Sequence, residues 1–331
     1  MQLKDFLSEI ISFGDLIHVQ GLGIMPLVSD AAREFPLLYL LDEGIRRGTF
    51  RIAETGESGE VRFLKVENSG DHPVLILEGE ELVGGKQNRI VNTTIIVLAN
   101  SNIKIPVSCM EAGRWDNRRR DFDSGGAIFR AKSRAVQKAS VACSLRVDGS
   151  FRSDQGAVWD QVSESLAELG APSATADFRA GREKAAHQIE DIVQAVRPLD
   201  KQVGAIFLAE GKILGCELLA TSDLFARALG KIVRSFAFEV LSSKETKAIS
   251  TDEAMSWWEK ILSANLTRHA SPGAGEDIRL NTPELLGSGL YWNGNLVHLS
   301  CFPAVESPQE SSHSQNRRAS VSERRSRMRN R

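Results

Sequence analysis

The sequence predicts an α+β protein with a β-rich N-terminal half, a helical middle and a small α+β C-terminal section. Three observations carry that expectation. Short β-branched runs bounded by Asn, Ser and Gly crowd residues 61–110. Apolar residues recur at helical spacing through most of 125–199. Beyond residue 200 the two patterns alternate. With 331 residues, 42% hydrophobic and 25% charged, the chain can bury a large core without disulfides or structural metal.

Leu3, Phe6, Leu7, Ile10 and Ile11 fall at i, i+3, i+4, i+7 and i+8, which predicts an amphipathic helix over 2–12. Asp5 and Glu9 make its polar face too acidic for an anionic membrane, so docking on the body is expected. The same acids argue against an export signal. Strands are expected over 16–28 and 49–54, flanking a short helix near Tyr39–Arg46. VRFLKV, PVLILE, RIVNTTIIVL and IKIPVSC supply strand cores between 61 and 110, with turns at Asn68–Asp71 and Asn100–Asn102. Helical spacing marks 154–169 and 176–197, with Ser153 or Asp154 as N-cap of the first. VGAIFLAEGKILGCELL, residues 203–219, reads as a hairpin turning at Glu210-Gly211. A helix over 222–241 follows, then another opened by a Ser250–Glu253 capping box, and short strands around Gly289–Phe302 close the fold. This gives an N-terminal helix at 1–14 and a core at 15–303, divided into a β-rich part (15–120) and a helical and α+β part (121–303). A basic tail completes the chain at 304–331.

Net charge is −2, but residues 306–331 hold seven Arg against three Glu, leaving the body at −6. An acidic body disfavours nucleic acid as a partner of the folded core. The Ser/Arg-rich tail has too little apolar surface to offset ordering entropy and is expected to be disordered, although Arg317-Arg318-Ala319-Ser320 has the form of a basic-directed kinase site. Cys109, Cys143, Cys216 and Cys301 are widely spaced, which fits a reducing cytoplasm. No apolar run reaches the roughly 20 residues of a membrane span. The six histidines lack ligand spacing, so any divalent cation would be held by oxygens.

The densest polar block is EGEELVGGKQNR, residues 78–89, followed by Cys109, Glu111, Arg114 and Trp115. If 74–80 is one strand, Glu78 and Glu80 share a face, and Glu111 ends a neighbouring strand. Glu78, Glu80, Glu81 and Glu111 are therefore the candidate acid–base or metal-ligand groups. Lys86, Arg89 and Arg114 would hold anionic groups, with Gln87 and Asn88 orienting the ligand. A buried polar network fixing strand register explains the same residues without a ligand. Gly84-Gly85-Lys86 reads equally as a phosphate cradle or a plain turn, and it is no P-loop. Cys109 reads foremost as a buried small hydrophobe. Gln155 could reach a ligand from a helix end, and Trp115 and Trp159 could stack a base, with local capping and core packing as the plainer readings. Arg118-Arg119-Arg120, with Arg130, Lys132, Arg134 and Lys138 beyond, reads as a solvated helix face before a site for a phosphate or an acidic partner.

On EGEELVGGKQNR, IPVSCMEAGRW (105–115), SDQGAVW (153–159) and QVGAIF (202–207), the chain resembles the ARG and rhodanese-phosphatase-superfamily-associated protein domain family, where ARG denotes ADP-ribosylglycohydrolase. The resemblance covers most of 15–303 and implies a setting of ADP-ribose or NAD-derived metabolism, without a defined reaction. The resulting expectation is a cytoplasmic enzyme, or degenerate enzyme, acting on a phosphorylated nucleotide-like small molecule, with hydrolysis as the first reaction to test. A non-catalytic sensor of such a ligand, or a scaffold, is the alternative.

Overall fold

The computed structural model describes residues 2–7, 11–31, 34–56, 62–111, 121–171, 173, 177–241 and 250–304. After a 3₁₀ turn at Leu3–Phe6, the first half runs β1 (Ser12–Phe13), β2 (Ile17–Val19), β3 (Leu22–Val28), β4 (Tyr39–Leu40), α1 (Leu41–Arg46), β5 (Phe50–Glu54) and β6 (Phe63–Asn68). It continues through β7 (Val74–Ile76), β8 (Glu80–Gly84), β9 (Arg89–Val91), β10 (Ile95–Val97), β11 (Ser101–Cys109) and β12 (Asp121–Ile128). Three helices follow, α2 (Ala131–Asp148), α3 (Gln155–Glu168) and α4 (Phe178–Ala195). The hairpin β13 (Gln202–Ala209) and β14 (Lys212–Leu219) leads to α5 (Ser222–Ala237) and α6 (Thr251–Ser263). Four strands close the fold: β15 (Leu266–Ala270), β16 (Glu276–Asn281), β17 (Leu285–Trp292) and β18 (Asn295–Pro303).

These strands form a six-stranded closed barrel, a nine-stranded sheet and a small third sheet. The barrel order is β11-β6-β5-β12-β8-β9, and all its pairings are antiparallel. One apolar cluster takes in Ile52, Leu64, Val66, Leu82, Val91, Ile105, Val107 and Phe122 from its strands. A barrel this narrow is filled by side chains and holds no channel. Leu41 of α1, Ile76 of β7 and Ile95 of β10 join the same cluster, so the β10-β7-β4 sheet packs with the barrel.

The large antiparallel sheet runs β1-β3-β13-β14-β18-β17-β16-β15, with β2 also on β3. Period-two alternation along β13 sorts its two faces. Phe207 packs with the helical layer, its ring stacked 4.0 Å from Phe236 of α5, while Ile206 and Leu208 join Trp258 and Ile261 of α6. The sheet is therefore covered on both faces, by α2–α5 and the barrel on one and by α6 on the other.

Four elements differ from the sequence expectation. Residues 3–6 form only a 3₁₀ turn and 12–13 a strand, instead of a helix over 2–12. A short helix is marginal by itself, and here Leu3 docks its N–H on the Ala264 carbonyl at 3.2 Å and its side chain among the α6 residues. The strand expected across 74–80 breaks at Glu78-Gly79, where Gly79 has φ +80°. Residues 121–128 are a strand, although helices were expected from about 125; its polar, glycine-bearing sequence, DFDSGGAI, hides a bulged edge. The strands at 266–270 and 276–281 were not expected, because most of their side chains are polar. Arg114, Trp115, Arg118–Arg120 and the basic tail from residue 305 lie outside the described residues. Among the described residues, no helix is long and apolar enough to cross a membrane.

Candidate functional site

The polar motif folds as a turn, a strand, a second turn and the start of another strand. Glu78-Gly79 turns out of β7, β8 runs to Gly84, and the chain returns through Lys86–Asn88 into β9, pairing Leu82 with Arg89. The Gly-Gly turn has a local reason. Gly85 has φ +49°, and a Cβ there would lie 2.2 Å from the Phe122 ring. Glu54 contacts this turn, its Oε1 accepting from the Lys86 N–H at 3.3 Å.

Because the chain turns at Gly79, the carboxylates diverge. Glu78 points to α2 and the large sheet. Lys138 reaches both its oxygens at 2.7 Å, and the Ser288 hydroxyl donates to Oε2 at 2.6 Å. Its own N–H donates to Thr94 Oγ1 (3.1 Å), which contacts His298 Nδ1 (2.8 Å); His298 Nε2 meets Glu217 (2.8 Å), and Arg134 meets Glu217 at 2.6 Å. Arg279 pairs Asp277 through Nε and Nη2 at 2.6 and 2.8 Å, and Thr93 donates to the same carboxylate. All of these residues are buried. Three carboxylates and three basic side chains thus alternate where the barrel, α2 and the sheet meet. Burial pushes the Glu78 carboxyl up, but Lys138, Arg134 and Arg279 outweigh it and bring it down to about 2.

Glu80 instead faces α5 and α1. Its Oε1 lies 2.6 Å from Lys231 Nζ, which also holds Asp42 at 2.6 Å. Burial and the Asp42 charge outweigh that single lysine, and Glu80 rises to about 6. Glu81 pairs with Arg182 of α4. Burial, helped by the like charge of Asp177, pushes Glu81 up despite Arg182.

A second grouping forms at the barrel end. Glu111 Oε2 accepts from the Asn88 N–H at 2.9 Å, and its carbonyl accepts from Gln87 Nε2 at 2.8 Å. The Asn88 side chain bridges onward: Oδ1 accepts from the Gly84 N–H at 3.2 Å, and Nδ2 donates to Asp177 at 3.3 Å. Burial and the Glu111 charge raise Asp177, the N-cap of α4. Beside them lies Arg89, 0% exposed. Its Nη1 donates to Gln87, but among the described residues Nε and Nη2 have no hydrogen-bond acceptor. Its ion-pair partner Glu54 stands off at 3.8 Å, with Oε2 likewise unbonded. A buried charged donor left this way costs free energy. Glu78 Oε1, Arg134 Nε and Nη1 and Arg279 Nη1 also lack hydrogen bonds, but each charge around Glu78 has an ion-pair partner at 2.6–2.7 Å, which Arg89 does not.

Cys109 is the cross-strand partner of Arg89. Burial raises its thiol in spite of that guanidinium, which makes it a poor nucleophile. Gln155 serves the docking of α3: its amide accepts from the Cys109 N–H and donates to the Cys109 carbonyl, both at 2.8 Å. Asp154 caps the helix by accepting from the Gly156 and Ala157 N–H groups. Among the described residues, no group of three or more His, Cys, Asp or Glu is arranged to hold a metal ion.

The geometry therefore brings Glu111, Gln87, Asn88 and Arg89 together near Lys86, with Glu81 next to them, and separates Glu78 and Glu80 from that grouping. Residues 10–302 match the family model described as the ARG and Rhodanese-Phosphatase-superfamily-associated Protein domain. The chain belongs to this family. Both polar strings lie within the matched span, and the family's name associates it with ARG and rhodanese-phosphatase proteins, a nucleotide-related setting. No curated protein and no solved structure matches the chain.

Sequence reasoning missed Glu217, Lys231, and Asp177, Arg179 and Arg182 of α4. It marked Arg134 and Lys138 within a basic stretch but favoured a solvated face, whereas both are buried against acidic partners. They stand on one helix face, i and i+4.

Proposed function

We propose that this protein binds an anionic, nucleotide-like small molecule at the barrel end and acts on it by acid–base chemistry. The observation carrying this reading is Arg89, a fully buried guanidinium with two unmet donor atoms beside a carboxylate with an unmet acceptor atom. A ligand offering both phosphate oxygens and sugar hydroxyls complements that combination. Glu111 and Asp177 are the candidate base and acid. Asn88 holds both, and burial, helped by the Glu111 charge, raises Asp177, the direction that suits a proton donor. Glu81 and its Arg182 partner stand behind Asp177, while Gln87, Asn88 and Lys86 border the ligand. Hydrolysis of an ADP-ribose-related compound is the first reaction to test, given the family's association. Glu78 and Glu80 act in this reading as supports, because each is buried against its own lysine.

The test is a thermal-shift and turnover screen with ADP-ribose, NAD and phosphosugars, with and without Mg²⁺. A true ligand at a hundredfold its Kd adds about 2.7 kcal/mol of stability. Arg89→Met should abolish the shift, and Glu111→Gln should keep binding but lose turnover. Binding without turnover in the parent protein would favour a sensor. Equal binding by Arg89→Met and the parent would remove the proposal.

A further inference from the structure

A concavity of about 590 Å³ lies between α1 and α5 and shares no lining residue with the Arg89 grouping. Its volume suits a nucleotide-sized ligand. Three guanidinium groups line it, those of Arg46, Arg47 and Arg227. The two carboxylates in the same lining are already engaged. Glu43 meets Arg227 at 2.6 Å and also accepts from the Leu40 N–H, and Asp223 meets Arg227 at 2.8 Å. Three guanidinium groups against two carboxylates leave the lining net positive, with Arg46 and Arg47, at the end of α1, as the arginines not paired to those carboxylates. Arg47 lies 4.2 Å over the Tyr39 ring, which fixes the direction of its guanidinium. Arg46 is exposed and has no bonding partner among the described residues. The negative end of α1 accounts for basic residues at this terminus, but not for their convergence with Arg227 on one hollow. Leu37, 48% exposed, gives the same hollow an apolar rim.

We propose that this concavity is a separate binding site for a small phosphate-bearing molecule, with Arg46 and Arg47 gripping the phosphate and Leu37 packing against the organic part. Planar guanidinium groups suit phosphate oxygens through paired N–H donors. The exposure of both arginines makes the affinity fall with added salt. The proposal is independent of the barrel-end reading and survives its failure.

Isothermal titration of the full chain with inorganic phosphate, AMP and adenosine tests it. AMP should bind, adenosine should not, and 0.5 M salt should weaken the AMP complex. Arg46→Ala removes no hydrogen bond or ion pair among the described residues and should reduce AMP affinity severalfold; R46E/R47E should reduce it at least tenfold. Phosphate binding as tightly as AMP, with the same loss in R46E/R47E, identifies free phosphate as the ligand and retains the site. The proposal is overturned if AMP does not bind or if adenosine binds equally well. It also fails if the affinity follows Arg89→Met and ignores Arg46→Ala.

Discussion

Two buried cations within one polypeptide, Lys138 and Arg89, are treated in opposite ways. Lys138 has both oxygens of Glu78 at 2.7 Å and the Ser288 hydroxyl as a further contact. Arg89 is equally hidden from water, yet two of its nitrogens meet no acceptor, and its carboxylate partner is 3.8 Å away. Burial alone therefore does not separate a structural charge from a functional one. The distinction lies in whether the surroundings complete the charge. Closely paired charges fix how barrel, helix and sheet meet even where single atoms lack a hydrogen bond, whereas a guanidinium with no close carboxylate retains free energy that a ligand can recover.

The largest expected effect tests the completed side. Lys138→Met removes one partner of a buried pair and leaves Glu78 facing a low-dielectric interior, at a cost of about 3–5 kcal/mol. Urea unfolding monitored by circular dichroism measures it. A loss below about 1 kcal/mol would mean that the network is dispensable, and the contrast with Arg89 would collapse.

Acid titration sharpens the comparison, because Glu78 and Glu80 are equally buried but shifted in opposite directions. Glu78 falls from 4.5 to about 2. Its contribution of about 3 kcal/mol is present above pH 4.5 and is lost as pH drops toward 2. Glu80 rises from 4.5 to about 6. Its contribution, about 2 kcal/mol, is full below pH 4.5 and is lost as pH climbs through 6. Unfolding free energies between pH 2 and 8 should therefore lose part of their acid limb in Glu78→Gln. Glu80→Gln should lose a decline between pH 4.5 and 6. Identical profiles for the two variants would show that the neighbouring charges do not set the two carboxyls apart.

A smaller effect calibrates both. Asp154→Ala deletes the N-cap of α3 and should cost about 1 kcal/mol, with no change in ligand-dependent thermal shift. A loss of the shift would place α3 in the binding site and widen the barrel-end grouping.

How much of this was legible depended on the range of the interaction concerned. The 203–219 hairpin, the Asp154 cap, the Ser250 cap and the α5 stripe are local patterns, and each forms where its spacing indicated. The motif residues were legible as a dense polar block, but their partners were not. Lys138 is 60 positions from Glu78, Arg182 is 101 from Glu81, Lys231 is 151 from Glu80, and Ser288 is 210 from Glu78. No short-range periodicity encodes such pairings. The Gly79 turn then undid the one local inference about them, that Glu78 and Glu80 share a strand face. Arg89 was legible as an anion-binding candidate from its charge, but its incomplete bonding is a property of the folded packing alone.

The smallest expected effect on stability is also the most discriminating. If Arg89 were a structural charge like Lys138, Arg89→Met would cost several kcal/mol, because Glu54 would lose its cation. Its ion pair is already 3.8 Å long, however, and Nε and Nη2 forgo their hydrogen bonds. Methionine fills much of the volume of the arginine stem and removes a buried charge that Gln87 and the distant Glu54 only partly compensate. The unliganded variant should therefore unfold within about 1 kcal/mol of the parent, or above it. Stability retained while ligand response is lost is the pattern of a binding residue, a trade-off common at sites held away from their stability optimum. A loss of 3 kcal/mol or more in the free protein would place Arg89 beside Lys138 as architecture, and the asymmetry between the two regions would disappear.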